Sequence, residues 1–317
     1  MSNQSNNQGR AYEYICINTL CTEISKIRSA EIIKNSAYEA ATRAWNSTSD
    51  GFKYILQQSA AAAVSTIFDM EPMLLETGVD LLTLKIQTDN EGKGGDVRDI
   101  IISRSDVKWE IGLSIKHNHF AVKHSRLAKT LDFGAKWFDI PCSKQYWDSI
   151  EPIFNYLTAQ KAVNKKWNEL PTKDKDVYVP LLKAFIAEVL RSNENDTAVP
   201  QKMVEYLLGE FDFYKIISID SKRITQIQTY NLHGTSNQSS RVVAPKIEVP
   251  HALLPTRIVS LDFKPNSTNT VELYMDGGWQ FSFRIHNAST KVETSLKFDI
   301  QIVGMPTTII SINCSWN

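Results

Sequence analysis

Residues 94–126 decide the fold, and they read GGDVRDIIISRSDVKWEIGLSIKHNHFAVKHSR. Two apolar, strand-like runs occupy residues 100–102 and 107–115, and the polar segment 103–106 between them is turn-prone. Such a pattern predicts an antiparallel hairpin of two buried strands. A chain that folds back near Asp106 brings Asp99 opposite Ser114.

The predicted hairpin gathers groups that suit phosphodiester chemistry. Lys116 shares the face of Ser114 because side chains alternate along a strand, so Asp99 and Lys116 point toward a common place. A carboxylate can hold Mg²⁺, and a lysine can position or deprotonate water and neutralise developing charge. The spacing resembles the PD-(D/E)xK nuclease signature, with Ser114 in the position of the second acid.

A second metal-binding acid must then come from elsewhere in the chain. Glu110 shares the face of Ser114 and Lys116, but a regular strand holds it roughly 13 Å from Ser114. Only a bulge or an early end of the strand would bring it closer. The other candidates are Asp96 and Glu13, which lies in the first turns of a predicted opening helix. For Glu13 the alternative is a structural role, because an acid near the start of a helix interacts favourably with the helix dipole.

A local basic surface follows the hairpin in a chain whose formal net charge is zero. Such a surface can contact DNA phosphates without making the whole protein basic, whereas the alternative is a solvated helix face. The candidate DNA contacts in this part of the chain are Arg98, His117, His119, Lys123 and Arg126.

The bulk composition is that of an ordinary globular protein. The chain has 317 residues, and no apolar run reaches the length of about 18 residues that a membrane span needs. Its four cysteines are scattered, which favours free thiols in a reducing compartment. We therefore expect a cytoplasmic protein without a signal peptide.

Taken in order, the chain predicts an α/β (α+β) protein in three sections. Residues 1–148 form a mixed-sheet nuclease core with an opening helix, two further helices at 38–43 and 52–68, and the catalytic hairpin. Residues 149–210 form a helical middle block, preceded by an aromatic cluster around Pro141 that we assign to the core. Residues 211–317 form a β-rich portion, a meander or a small barrel.

One loop of the β-rich portion carries a second candidate function. Residues 284–291 interrupt the strand pattern with a run of hydrogen-bonding side chains, including Arg284, Asn287 and Lys291. Arginine can grip guanine O6 and N7, and asparagine matches adenine or bridges phosphates. This loop is either a reader of bases or a plain polar hairpin loop.

Longer blocks of the sequence carry a more specific resemblance than the hairpin alone. The chain resembles the family of the HaeIII type II restriction endonuclease in five blocks along nearly its full length. These blocks are QGRAYEY at 8–14, GDVRDIII at 95–102, WEIGLSIKHNHFAVKHSRL at 109–127, LDFGAKWF at 131–138 and GWQFSFRIHNASTKVETSLKFDIQIVG at 278–304.

The resemblance implies a Mg²⁺-dependent endonuclease that cuts double-stranded DNA at GGCC and works beside a methyltransferase protecting the same site. It implies Asp99 as a metal ligand, Lys116 as the catalytic lysine and Ser114 in the acid position, with Glu13 or Glu110 completing the site. Two rivals stay open, namely a junction-resolvase-like nuclease and a non-catalytic DNA-binding module. The sequence leaves the oligomeric state undetermined.

Overall fold

The computed structural model describes residues 2–88, 96–119 and 123–316. The chain divides into two compact units, each assembled from segments that are distant in sequence. The first unit combines Met1–Phe120, Gly209–Leu253 and Thr307–Asn317. The second unit combines Ala121–Leu208 and Leu254–Pro306.

The described residues of the first unit form three α-helices and a mixed seven-stranded sheet. The helices are α1 (Ser2–Ser25), α2 (Ser36–Asn46) and α3 (Asp50–Met70). The strands are β1 (Ala30–Ile33), β2 (Leu82–Ile86), β3 (Ile100–Arg104), β4 (Trp109–His117), β6 (Phe213–Ile219), β7 (Ile224–Tyr230) and β12 (Ser311–Ser315). Strand β5 belongs to the second unit.

The sheet of the first unit runs in the order β1-β2-β3-β4-β6-β7-β12. The pairs β1–β2 and β4–β6 are parallel, and the other neighbours are antiparallel. The predicted mixed sheet is therefore confirmed, with the hairpin strands β3 and β4 near its centre. The parallel β4–β6 pair joins residues that are about a hundred positions apart in sequence.

Helices α1 and α3 pack on one face of this sheet. A buried polar chain links them to it: the Tyr12 hydroxyl lies 2.6 Å from that of Ser59, which lies 2.6 Å from that of Thr225 on β7. Alternate residues of β4, such as Leu113 and Ile115, face the same apolar core. The opposite face of β4 therefore presents Gly112, Ser114 and Lys116, which is where the predicted chemistry lies.

The second unit packs helices against an antiparallel sheet of order β5-β11-β10-β9-β8. Its helices are α4 (Phe133–Phe138), α5 (Lys144–Ala162), α6 (Val179–Asn195) and α7 (Val199–Leu208). Its strands are β5 (Lys123–Ala128), β8 (Ile258–Phe263), β9 (Thr270–Met275), β10 (Gln280–His286) and β11 (Ser295–Gly304).

An aromatic cluster forms the core of the second unit, as predicted. Trp137 lies within ring-contact distance of Phe133, Phe185, Phe283 and Phe298, and all five side chains are buried. The C-terminal strands β8 to β11 follow one another as the predicted meander.

Several elements differ from the sequence predictions. The segment AEII, which follows the opening helix and for which no strand was predicted, is strand β1, because β-branched residues also suit an edge strand. Residues 123–128 form strand β5, so the alternative of a solvated helix face is wrong there. The predicted glycine-rich loop at 90–95 lies outside the described residues.

Two further expectations concern the chain as a whole. The division into residues 1–148, 149–210 and 211–317 stays a prediction, whereas each compact unit combines segments from different parts of the chain. Within the described ranges, none of the helices has both the length and the apolar composition needed to cross a bilayer.

Candidate active site

The predicted hairpin has the predicted register. Ile100 pairs with Leu113, which places the preceding Asp99 opposite Ser114. The Asp99 N–H donates to the Leu113 carbonyl at 2.7 Å and extends the ladder by one residue. The turn is a short 3-10 segment that ends at Lys108, whose φ of 52° is left-handed. An aspartate just before one strand therefore faces the last residues of its partner.

The Asp99 carboxylate is the meeting point of three groups from β4. Its Oδ2 accepts hydrogen bonds from the Ile115 N–H at 2.6 Å, the Lys116 ammonium at 2.8 Å and the Ser114 hydroxyl at 3.3 Å. The structure thus brings together Asp99, Ser114 and Lys116, as the alternation of side chains predicted. Within the described part of the chain, each hydrogen bond of this carboxylate falls on Oδ2.

Electrostatics keep Lys116 in its charged form. Burial acts to lower the pKa of its ammonium, but attraction to Asp99, the hydrogen bond to Asp99 and the charge of Glu13 together raise the pKa above its usual value. A lysine that holds its proton is suited to stabilising negative charge rather than to removing a proton from water. The effect of Glu13 also places this acid within electrostatic range of the site.

Glu110 is engaged in a different cluster. Its Oε1 accepts from Arg98 at 2.8 Å, and the same guanidinium binds both oxygens of Asp96. Arg98 also lies over the Phe211 ring, 4.0 Å from its centroid, with its side chain only 7% exposed. The pKa of Asp96 is lowered, since its bonds to Arg98 outweigh the effect of burial. Arg98 and Glu110 thus brace the strand beside the Asp99 group.

The predicted metal ligands do not form a preassembled cage. Among the residues that the structure describes, no three His, Cys, Asp or Glu side chains stand close enough together to hold an ion. At the predicted place, the Asp99 carboxylate and the neighbouring Ser114 hydroxyl are hard oxygen donors. The assignment of Glu13 and Glu110 as ligands stays a prediction.

The predicted basic surface separates into different environments. The His117 side chain is mostly buried, with its Nε2 at 2.7 Å from Asp220 and its ring edge against Phe52. His119 is exposed, and the side chain of Lys123 lies outside the described part of the chain. Arg126 on β5 is exposed and donates to Glu293 at 3.2 Å and Ser295 at 2.9 Å.

Residues 284–291, which were predicted as a loop that reads bases, are part strand and part loop. Arg284 lies within β10, with its side chain 56% exposed and paired with Asp299 at 3.1 Å. The Asn287 amide donates to the carbonyls of Ser289 and Lys291, so it holds the loop in shape. The Lys291 ammonium is exposed and donates to Asn164 at 3.2 Å.

The sequence did not predict that Lys215 lies beside this site. Lys215 lies on β6 directly beside Ser114 in the parallel pair, and it is 4% exposed. The available signal was a single charged residue inside the run FYKIISI, whose seven residues are all buried. Sequence spacing could not place it beside the hairpin, because the β4–β6 pairing is non-local.

Comparison with known proteins agrees with these observations. The family model described as HaeIII restriction endonuclease matches residues 9–306. The type II restriction enzyme HaeIII of Haemophilus aegyptius is 53% identical over 317 residues, which span all of this chain and 99% of that relative. No solved structure matches the chain. Similarity of this extent shows that the chain belongs to the HaeIII family of type II restriction endonucleases.

Proposed function

We propose that this type II restriction endonuclease cuts both strands of double-stranded DNA at GGCC and that Mg²⁺ is its metal cofactor. The observation that carries the catalytic part is the convergence of Asp99, Ser114 and Lys116 at the end of the central hairpin. The GGCC target is supported by full-length similarity to the HaeIII family and its sequence blocks.

Type II restriction endonucleases generally need a divalent metal ion, and the residues at this site fit Mg²⁺. Mg²⁺ prefers oxygen ligands and keeps several waters, so it is often held by only one or two carboxylates. Asp99 would supply one carboxylate through Oδ1, since the hydrogen bonds of the described residues fall on Oδ2. When bound, the ion would polarise the scissile phosphate and lower the pKa of an attacking water.

The protein's own groups then hold the substrate and its charge. Lys116, kept protonated by Asp99 and Glu13, donates to the phosphate oxygen that gains negative charge during attack. The Ile115 N–H and the Ser114 hydroxyl fix the orientation of the Asp99 carboxylate. Ser114 thus supports the first acid by hydrogen bonding, whereas an acid at this position would itself bind the ion.

Glu13 is the better candidate for a second acid. Its charge already acts on Lys116, whereas the Glu110 carboxylate is held by Arg98 at 2.8 Å. Glu110 would have to leave that guanidinium, whose side chain is nearly buried, before it could bind an ion. We therefore propose Asp99 and Glu13 as the acids of the site, with Glu110 as a brace of the strand.

Contacts to DNA are proposed on both units. On the first unit, the exposed His119 is a candidate for phosphate contact, while the His117 Nε2 lies 2.7 Å from Asp220 and Arg98 is held by its ion pair with Asp96. On the second unit, Arg284 and Lys291 are candidates for reading guanine, because both are exposed donors.

The second unit also offers Arg126, on strand β5 that begins at Lys123, as a phosphate contact. Asn287 keeps the loop that carries Lys291 in shape, through bonds to two of its carbonyls. Its role is therefore to orient donors rather than to contact a base itself.

A single experiment tests the activity and the target together. A plasmid of known sequence is incubated with the protein and Mg²⁺, and the ends of the fragments are mapped by sequencing. We expect every end to fall within GGCC. Cutting confined to branched substrates would instead favour a junction-resolvase-like nuclease, and metal-independent binding without cutting would favour a DNA-binding module.

The cellular setting follows from the activity. An endonuclease specific for GGCC would destroy the DNA of its own cell, so we propose a companion methyltransferase acting on the same sequence in the cytoplasm. GGCC is palindromic, which favours a two-fold arrangement of protein on DNA, although sequential cutting by one subunit is an alternative. Mass photometry of the protein on a GGCC duplex would distinguish these two arrangements.

A further inference from the structure

Lys215 is an unusual residue in the centre of the sheet. It is the one charged residue of β6, its side chain is 4% exposed, and every neighbour along the strand is buried as well. Taking an ammonium group out of water is unfavourable unless other charges or hydrogen bonds compensate. The groups around Lys215 in the sheet therefore decide whether its role is structural or chemical.

Lys215 belongs to a polar row that crosses three strands and begins at Asp99, just before β3. Asp99 stands opposite Ser114, Ser114 pairs with Lys215, and Lys215 pairs with Gln228 on β7. Residues paired directly across a sheet share one face, and neighbouring strands are about 4.8 Å apart. The row lies on the face that carries Lys116, away from the apolar core of α1 and α3. Lys215 is thus part of the proposed active site.

The charges of the site shift the pKa of Lys215 in opposite directions. Burial and the nearby Lys116 lower the pKa of its ammonium to about 7, and Asp99 counteracts this effect. The charges of both lysines thus interact with Asp99, while Ser114 occupies a position where a second negative charge would otherwise stand. An incoming phosphodiester would bring a negative charge to the face of the sheet that carries both lysines.

We infer that Lys215 is a second catalytic lysine, which contacts the scissile phosphate and stabilises the negative charge that forms on its non-bridging oxygens. This inference rests on the proposed function. In the hydrolysis, a water oxygen forms the new bond to phosphorus, one bond from phosphorus to a sugar oxygen breaks, and the departing oxygen takes up a proton. Lys215 exchanges neither an atom nor a proton in this step, and its contribution is electrostatic.

Substitution by methionine tests the inference, because methionine fills a similar volume without charge. We expect Lys215→Met to unfold at the same or a higher urea concentration than the wild type, since it removes a buried charge. In Ca²⁺, it should bind a GGCC duplex within about fivefold of the wild type. In Mg²⁺, its single-turnover cleavage rate should fall by about 100-fold or more.

Lys222→Met serves as the matched control. Lys222 is an exposed lysine in the turn that follows the same strand, so its loss should change neither stability nor cleavage. A cleavage rate of Lys215→Met within about threefold of the wild type would overturn the inference, since a group that stabilises transition-state charge must matter more.

A second variant keeps the test decisive if methionine prevents folding. Lys215→Ala leaves space for a small amine, and added methylammonium should restore its cleavage in a saturable way, which a purely structural role would not produce. Absence of rescue in a folded Lys215→Ala protein would count against the inference. Failure of the proposed function itself is distinguishable, because the wild type would then not cut GGCC in the same assay.

Discussion

The substitution Gly112→Ala provides a sharp test of how the active-site strand is braced. Gly112 lies on β4 between Glu110 and Ser114, on the face that carries the site. A methyl group there would lie 1.9 Å from Arg98 Cδ, 2.5 Å from its Cγ and 3.1 Å from its Cβ. The conflict involves the middle of the arginine side chain, so moving only its tip cannot relieve it.

The expected loss of stability follows from the ion pairs that Arg98 would have to break. Its guanidinium bridges Asp96 at 2.8 Å and Glu110 at 2.8 Å, and the Asp96 pair is largely shielded from water. Overpacking alone costs about 1–3 kcal/mol, and breaking a buried pair costs about 3–5 kcal/mol. Because Glu110 is partly exposed and the chain can relax, we expect about 2–4 kcal/mol of lost unfolding free energy.

A double-mutant cycle in urea separates this mechanism from a general intolerance of alanine. In the Arg98→Ala background the obstructing atoms are absent, so Gly112→Ala should be neutral or stabilise by about 0.5 kcal/mol. The coupling free energy should therefore reach about 2 kcal/mol. If Gly112→Ala were equally harmful in both backgrounds, or harmless in the wild type, the proposed brace would be wrong.

Three further predictions concern chemistry, recognition and pH. Asp99→Ala and Lys116→Ala should each bind GGCC duplexes in Ca²⁺ but lose cleavage in Mg²⁺ by about 100-fold or more, because each removes a group at the reacting phosphate. Arg284→Ala should fold normally, since the Arg284 side chain is 56% exposed, but should lose discrimination of GGCC in a competition assay. Glu71→Gln should remove a fall in stability between pH 5 and 7, because burial raises the pKa of Glu71 to about 7 from 4.5, which corresponds to about 3 kcal/mol.

The sign of the Glu71 effect can be worked out directly. Between its unfolded and folded pKa values the folded protein holds a proton that the unfolded chain has lost, so stability decreases as pH rises through this range. Glutamine mimics the protonated acid toward Tyr214 and Asn237, whose donors lie at 2.6 Å and 2.5 Å. At pH 8 the variant should therefore be more stable than the wild type in urea titrations.

Each of the other two predictions has its own contradicting result. Wild-type cleavage by either the Asp99 or the Lys116 variant would place the active site elsewhere than the hairpin. For Arg284, the matched control is Arg257→Ala, another exposed arginine of the second unit. If both arginine variants retained the sequence preference of the wild type, Arg284 would not be a base reader.

The hairpin could be predicted in detail because its determinants are local. Two strand-like runs and a short turn fix the register, and the alternation of side chains then brings Asp99, Ser114 and Lys116 together. The aromatic core around Trp137 could also be predicted, since large aromatic side chains near a proline-containing turn rarely stay exposed.

The parts that escaped prediction depend on contacts between distant segments. Nothing near Lys215 in the sequence indicates that β6 pairs in parallel with β4, so the polar row could not be recognised. Strand β1 was not predicted because it has only four residues and pairs with β2, about fifty positions further along the chain. Buried partners also changed the interpretation of charges: His117 and Arg98 look like free donors in the sequence, but each is bound to an acid.

The insertion of most of the second unit between β4 and β6 has a consequence for biosynthesis. Lys116 and Lys215 are separated by 99 positions, which take roughly 5–20 s to synthesise at about 5–20 residues per second. The edge strand β12 consists of residues near the very end of the chain. A nascent or prematurely terminated chain that stops before β6 therefore lacks Lys215 and the parallel partner of β4, so the polar row of the proposed active site cannot assemble in it.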